Sequence, residues 1–128
     1  MYKVLVLVIA LCISLLAEPQ WLTSYDEAKT QAKDQNKSIL IMISKESCDA
    51  CWYMENIVFE DNKVKKLIHD NFIPVYLDIA NDIPEEFKYI GTPTFYFMDK
   101  NASKMGYQIT GAKNVKEFSA KIQEILTQ

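Results

Sequence analysis

Two cysteines separated by two residues, Cys48 and Cys51, are the side chains of this sequence best suited to covalent chemistry. They follow the apolar run Ser38 to Ser44, which is typical of a strand buried on both faces. The residues from Cys51 onward favour a helix, so Cys48 is predicted to lie at a helix N-terminus. Unpaired N–H groups and the helix dipole stabilise a thiolate there, and the thiolate is the form of cysteine that attacks a disulfide.

The spacing gives the two cysteines different roles. Cys48 is the predicted nucleophile, and Cys51, one helical turn further in, is the predicted resolving thiol that releases a mixed disulfide with a partner. Two cysteines separated by only two residues can also form a disulfide with each other, so we predict a redox-active disulfide Cys48–Cys51.

Two roles without redox chemistry remain open for this pair. A structural disulfide across so short a loop stabilises a fold little. A zinc site needs further ligands, which His69, the only histidine, or carboxylates would have to supply. His69 is expected instead to be a solvated residue near a helix end, so we predict a site without metal or other cofactor.

The composition of the chain fits a single domain. It has 128 residues, of which 49% are hydrophobic, enough for a core that needs no metal. Its formal net charge is −3. This acidic balance argues against nucleic acid or an anionic membrane surface as a partner. We expect a monomer.

Residues 1–17 differ in character from the rest of the chain. A short positive start is followed by the apolar stretch Val4 to Leu16, and Ala17-Glu18-Pro19 ends it. This pattern predicts a secretory signal cleaved after Ala17, although an uncleaved N-terminal anchor remains open. The stretch is short for a membrane span, which needs about 20 apolar residues. The mature domain, residues 18–128, would then be periplasmic or otherwise exported, with Cys48 and Cys51 as its two thiols.

The apolar periodicity predicts nine elements in the order α, β, α, α, β, α, β, β, α. Helices are predicted over residues 21–37, 48–57, 62–70, 85–90 and 115–126, and strands over residues 38–44, 72–79, 94–98 and 104–110. Thr23 or Ser24, Asp61 and Asn114 are the predicted helix caps.

This order describes a βαβ half followed by a ββα half, preceded by one helix. Right-handed crossovers would place the first two strands parallel at the sheet centre, and a hairpin would add antiparallel strands at one side. The predicted fold class is therefore α/β, a central mixed four-stranded sheet with helices on both faces.

Three features in this order make the chain resemble the thioredoxin superfamily over residues 20–128. They are Cys48-Asp49-Ala50-Cys51 after an apolar strand, Gly91-Thr92-Pro93-Thr94 before the penultimate strand, and Gly111 before the last helix. Within the superfamily the chain is similar to exported thiol–disulfide interchange proteins, such as the C-terminal thioredoxin-like domain of DsbD.

The resemblance implies a cis peptide bond between Thr92 and Pro93. It also implies that Pro93 sits beside the two thiols, where the backbone of Thr92 pairs with an extended substrate. Trp52, directly after Cys51, is expected to be partly exposed and to form an apolar rim for the substrate. Gly111 would allow close approach of a substrate backbone, or it is an ordinary turn glycine.

The chain departs from thioredoxins at three positions near the pair. Ser47 precedes the first cysteine, where tryptophan is usual. Met42 stands six residues before Cys48, where thioredoxins carry a buried acid that accepts a proton. Trp52 follows the second cysteine, where lysine is common.

The charges around Cys48 predict the direction of the reaction. The carboxylates of Glu46 and Asp49 disfavour its thiolate, and Lys45 compensates in part. Because a stabilised thiolate makes a pair oxidising, this pair is predicted to be reducing. The predicted function is an exported reductase of disulfide-containing exported proteins, recharged by a membrane thiol electron donor. The alternative is a binding or chaperone module on the same fold whose cysteines are idle.

Overall fold

The computed structural model describes residues 18–128. The predicted signal segment, residues 1–17, lies outside the described residues. The helices are α1 (Tyr25–Gln35), α2 (Asp49–Tyr53), which continues into a π-helical turn (Met54–Val58), α3 (Asn62–Asn71) and α4 (Val115–Leu126). The strands are β1 (Ser38–Ser44), β2 (Phe72–Asp78), β3 (Thr94–Met98) and β4 (Ile109–Thr110).

The four strands form one mixed sheet in the order β2-β1-β3-β4. β1 pairs with β2 in parallel and with β3 antiparallel, and β3 pairs with β4 antiparallel. The predicted fold class is thereby confirmed. The prediction that both parallel strands are central was wrong for β2, because β3 takes the other side of β1. Leu22 covers the outer side of β2 through backbone hydrogen bonds to Pro74 and Tyr76, of 2.9 and 2.8 Å.

The sheet separates two apolar layers, because successive residues of a strand point to opposite faces. Leu40 and Met42 pack with Cys51 in the layer formed by α2, α3 and α4. Ile41 and Ile43 pack in the layer that contains α1. Edge-on aromatic contacts fill the first layer, between Phe59, Phe95 and Phe118. Helices therefore cover both faces, as predicted.

Side-chain caps fix where the helices begin. The Ser24 hydroxyl accepts the Glu27 N–H at 3.2 Å, so α1 begins at Tyr25 and not at Trp21 as predicted. The preceding residues are extended because Leu22 pairs with β2. Asp61 caps α3 as predicted. Asn114 caps α4, where its side chain and that of Glu117 form a capping box.

The predicted helix 85–90 does not form. This segment has a single turn, in which the Phe87 N–H donates to the Pro84 carbonyl at 2.9 Å. Two tertiary contacts outweigh the local helix preference. Phe87 packs edge-on against Tyr25 at 4.9 Å between ring centroids, and the Tyr96 hydroxyl donates to the Lys88 carbonyl at 2.6 Å.

The predicted strand 104–110 is reduced to the two residues of β4 and one isolated bridge between Met98 and Lys104. Gly106 has a φ of +64°, so the backbone leaves the extended conformation between them. The hairpin partner of β3 is therefore interrupted and short.

A cavity of about 410 Å³ lies beside the first layer, between the N-terminal stretch, β1, β2 and the helices after Cys51. Trp21, Met42 and Phe59 supply apolar wall, and Glu55 and Lys65 are among its charged residues. Lys65 bonds to Glu18 and Glu60 at 2.9 and 2.8 Å. Partial burial removes water from the Glu55 carboxylate and raises the pKa of that group.

The Glu55→Gln variant is expected to be more stable than wild type at pH 8 and equal to it near pH 3. A folded-state pKa above the unfolded value of about 4.3 means that the folded state holds the proton longer. The free energy of unfolding therefore falls as pH rises between the two pKa values. Glutamine does not titrate, so the variant does not lose this stability. The gain should stay below about 1 kcal/mol, because the partly exposed carboxylate keeps some hydration.

Urea unfolding of both proteins across this pH range measures the effect. Glu85→Gln, at an exposed position in the loop before β3, controls for the loss of one negative charge. A Glu55→Gln variant that matches wild type at every pH would contradict the expectation.

Candidate active site

Cys48 lies where β1 is joined to α2. A turn of three exposed residues, Lys45 to Ser47, follows the strand, and Ser47 has a φ of +55° that reverses the chain. Cys48 then takes the N-cap position of α2 with an extended backbone, and its sulfur accepts the Cys51 N–H at 3.2 Å. This is the helix N-terminus at which the sequence pattern predicts it.

Cys48 and Cys51 are joined as a disulfide, with 5.2 Å between their Cα atoms. The two residues differ in exposure. Cys48 is partly exposed, whereas Cys51 is 2% exposed and packs in the first layer with Met42 and Met54. An incoming sulfur therefore reaches Cys48 first, and Cys51 is protected from solvent.

The loop before β3 brings Thr92 to the sulfur of Cys48. The Thr92 hydroxyl donates to Cys48 Sγ at 3.4 Å, and the Thr92 carbonyl oxygen lies 3.7 Å from the same sulfur. A disulfide sulfur has no proton to donate, so only the dithiol form adds a hydrogen bond from the Cys48 thiol to this carbonyl. Residues 44 positions apart thus form one site.

The Thr92–Pro93 peptide bond is cis. Pro93 is buried, and its carbonyl accepts the Gly111 N–H at 2.8 Å. The backbone N–H and C=O of Thr92 have no backbone partner within residues 18–128. They are therefore free to pair with an extended chain laid beside Cys48.

Gly111 lies next to this loop with a φ of +85°, a conformation that favours glycine. Open space surrounds the position that a Cβ would take. The left-handed turn explains the glycine, and the open space beside Pro93 leaves room for a substrate backbone.

Exposed apolar side chains lie close in sequence to the two segments of the site, the cysteine pair and the loop at Thr92. Trp52 is 58% exposed, which confirms its predicted partial exposure, and Tyr53 is half-buried. Met54 is buried, and its sulfur accepts the Lys113 N–H at 3.3 Å. Ile90, two residues before Thr92, is 96% exposed and was missed in the sequence. The available signal was an apolar residue directly before Gly91, at the end of the helix predicted over residues 85–90.

Met42 leaves the site without an acid at the position where thioredoxins carry one. Its side chain is fully buried in the layer that holds Cys51. Glu55, four residues after Cys51, lines the same cavity as Met42. Glu46 and Asp49, the carboxylates expected to oppose the Cys48 thiolate, are both exposed, so water screens much of their effect.

His69 lies in the last turn of α3, partly exposed, with Nδ1 at 3.3 Å from Asp70. Across residues 18–128 no three His, Cys, Asp or Glu side chains are grouped to hold a metal ion. In the same range, no helix is both apolar and long enough to span a bilayer.

Comparison with known proteins places this site in a family. The sequence model of the thioredoxin-like family matches residues 20–100. The thiol:disulfide interchange protein DsbD of Pseudoalteromonas atlantica is 24% identical over 112 residues, which cover 82% of this chain and 19% of DsbD. The chain spans less than a fifth of the length of each curated relative that it matches.

Solved structures show the same fold. A thioredoxin from Thermus thermophilus superposes with a TM-score of 0.74 at 23% identity, covering 86% of this chain and 88% of that one. The oxidised C-terminal domain of Neisseria meningitidis DsbD gives a TM-score of 0.67 at 14% identity, covering 82% and 98%. With more than half of its residues matched by the family model and a cysteine pair at a helix N-terminus beside a cis-proline, this chain belongs to the thioredoxin-like family.

Proposed function

We propose that this protein is an exported thiol–disulfide oxidoreductase that works as a reductase of disulfides in other exported proteins. The thioredoxin-like fold with its Cys48–Cys51 pair supports thiol–disulfide oxidoreductase chemistry. One observation carries the proposal. A partly exposed Cys48 sulfur sits at a helix N-cap, and the Thr92 backbone, which has no backbone partner within residues 18–128, lies beside it.

The reaction begins with the reduced pair. The Cys48 thiolate attacks one sulfur of a substrate disulfide, a Cys48–substrate disulfide forms, and the other substrate sulfur leaves as a thiolate. Cys51 then gives its proton to the first released substrate thiolate and attacks Cys48 Sγ, which releases the second substrate thiolate. Two electrons have passed to the substrate, and the Cys48–Cys51 disulfide remains.

The surface around Cys48 suits an extended, apolar substrate segment. The Thr92 N–H and C=O offer two backbone hydrogen bonds, as an exposed strand edge does. Trp52, directly after Cys51, and Ile90, two residues before Thr92, offer exposed apolar contact area. Gly111 leaves space beside Pro93 for the substrate backbone.

The N-terminal sequence pattern and the relatives support the proposed export and recharging. The N-terminal pattern is that of a secretory signal, and one matching protein carries the name thiol:disulfide interchange protein DsbD. In an exported setting the oxidised pair needs a thiol donor that carries electrons across the membrane. We therefore infer a membrane thiol carrier as the second partner.

The wild-type protein is expected to accelerate reduction of insulin disulfides by dithiothreitol, and Cys48→Ser is expected to lower the rate to the uncatalysed background. Serine removes the attacking sulfur and keeps the side-chain shape. Turbidity of the released insulin B chain measures the rate. Equal, background rates for both proteins would favour a binding module with idle cysteines.

The reduction potential of the pair is expected to lie below about −200 mV, on the reducing side of protein disulfide isomerase at about −180 mV. Asp49→Asn should raise it by about 10–20 mV, because an exposed carboxylate contributes only weakly. Equilibration with glutathione buffers and thiol alkylation measures both values. Asp34→Asn, an exposed acid on α1, is the control, and a wild-type potential of about −180 mV or higher would sink the reductase proposal.

Cys51→Ser is expected to accumulate mixed disulfides at Cys48, because the resolving thiol is gone. Expressed in its own cells, it should trap exported proteins and a membrane thiol carrier, and the recovered chain should begin at Glu18. Mass spectrometry identifies the adducts and the first residue, and the double variant Cys48→Ser/Cys51→Ser is the control. Adducts confined to cytosolic proteins would contradict export.

A further inference from the structure

The last residue of β1, Ser44, holds a buried hydroxyl without a partner. The residue is 0% exposed, and its Oγ makes no hydrogen bond within residues 18–128. A buried, unpaired hydroxyl destabilises a fold by about 1–3 kcal/mol, and most such groups are paired. Ser119, an equally buried serine on α4, follows this rule by donating to the Val115 carbonyl at 2.6 Å. Ser44 therefore needs an explanation.

The alternation of side chains along β1 places Ser44 on the face of the sheet that α2, the redox helix, covers. Leu40, Met42 and Ser44 share one face of the strand. Leu40 and Met42 pack in the layer that contains Cys51, whereas Ile43 packs in the opposite layer. The Ser44 hydroxyl therefore faces the layer in which Cys51 is buried.

The register of the sheet places Ser44 at the level of the site. Ser44 pairs with Asp78 of β2, and Ile43 pairs with Thr94 of β3. One further step of the antiparallel register sets Ser44 opposite Pro93, the cis-proline. A turn of three residues then leads from Ser44 to Cys48.

The two sulfurs differ in their polar surroundings. Cys48 Sγ receives the Cys51 N–H and the Thr92 hydroxyl, at 3.2 and 3.4 Å. Cys51 Sγ makes no hydrogen bond within residues 18–128, and Met42 supplies no donor. A disulfide sulfur needs none. When the disulfide opens, Cys51 becomes a buried thiol or thiolate, and the buried thiolate is costly without a donor.

We propose that Ser44 donates a hydrogen bond to Cys51 Sγ whenever the Cys48–Cys51 disulfide is open. This inference rests on the proposed function. The hydroxyl is free in the oxidised protein, where Cys51 Sγ is only a weak, neutral acceptor, and the hydrogen bond forms in the reduced protein and the mixed disulfide. The hydroxyl stands in for the absent acid at Met42 as a donor only, since it takes up no proton.

This hydrogen bond would act in the step in which a donor thiol reduces the Cys48–Cys51 disulfide. A donor thiolate attacks Cys48 Sγ, a donor–Cys48 disulfide forms, and the Cys48–Cys51 bond breaks. The electron pair of the broken bond leaves on Cys51 Sγ, where the Ser44 O–H stabilises it. In the reverse direction the same hydrogen bond favours the Cys51 thiolate that resolves a mixed disulfide.

Two carboxyl groups could act on Cys51 in place of Ser44. Asp78 lies beside Ser44 on the same face of the sheet and accepts the Ala80 N–H at 2.8 Å. Glu55 follows Cys51 by one turn and lines the cavity shared with Met42. The experiment therefore carries Asp78→Asn and Glu55→Gln as separate variants.

The test compares Ser44→Thr with Ser44→Val, which have the same shape and differ in the hydroxyl. The equilibrium between the disulfide and the dithiol is measured in glutathione buffers by alkylation. Ser44→Val should shift it toward the disulfide by about threefold to tenfold relative to Ser44→Thr, the effect of one lost hydrogen bond. Ser119→Ala should leave the equilibrium unchanged, since it destabilises both redox forms alike.

A second readout separates this role from packing. In urea unfolding, Ser44→Val should be less stable than Ser44→Thr in the reduced form and not less stable in the oxidised form. Should either bulkier variant not fold, Ser44→Ala compared with wild type gives the same two readouts.

Equal equilibria for the threonine and valine variants would overturn the inference and leave the proposed function standing. A shift in Asp78→Asn or Glu55→Gln without one in the Ser44 pair would also overturn it, because a carboxyl group would then control Cys51. A wild-type pair that neither glutathione nor dithiothreitol reduces would overturn both, since no open form would exist for Ser44 to serve.

Discussion

The position of the Cys48 sulfur at the start of α2 is the constraint on which the site depends. The Cys51 N–H and the Thr92 hydroxyl both point at this atom, one from the helix and one from the loop before β3. A helix that began one residue later would take Cys48 out of the N-cap position from which its sulfur accepts the Cys51 N–H. Ser47, in a left-handed conformation, sets that starting point by reversing the chain after β1. The local backbone conformation and a tertiary contact therefore both act on Cys48 Sγ.

The buried strand beneath the site gives this arrangement its rigidity. β1 is paired on both sides, and six of its seven residues are buried. Because only a turn of three residues separates Cys48 from the end of β1, both sulfurs are held close to this rigid strand. The contact from the Lys113 N–H to the Met54 sulfur ties the redox helix to the segment after Gly111 as well. The cysteine pair and the loop at Pro93 thus belong to one body.

Much of this could be predicted from the sequence, for physical reasons. β1 is a continuous apolar run, and α4 has an apolar face and a capping residue, so both were predicted with their observed bounds. The segment at residues 85–90 has helical composition, but Phe87 and the Tyr96 hydroxyl fix it as a turn. Such contacts join distant residues and leave no local pattern. Lys104 to Thr110 was overextended as a strand, because Gly106 breaks the pairing.

The candidate site was likewise predicted only in part from the sequence. Cys48, Cys51 and the Thr92–Pro93 bond were identified from spacing and resemblance, and the structure brings them together. Ser44 looked like the polar end of a strand. Its missing hydrogen bond depends on what lies opposite in three dimensions, which no spacing along the chain encodes. Ile90 was overlooked because it was assigned to the end of the helix predicted over residues 85–90, which does not form.

The pairing of Leu22 with the outer side of β2 has a consequence for aggregation. An uncovered β2 would present unpaired N–H and C=O groups along its outer side, a template on which another chain can add a strand. Leu22 occupies the middle of that side, at Pro74 and Tyr76, and Lys65 holds the neighbouring Glu18 in place. The short stretch before α1 thus covers an edge that could otherwise pair with another copy of the chain. A chain shortened past Leu22 would keep its cysteine pair but expose this edge of β2.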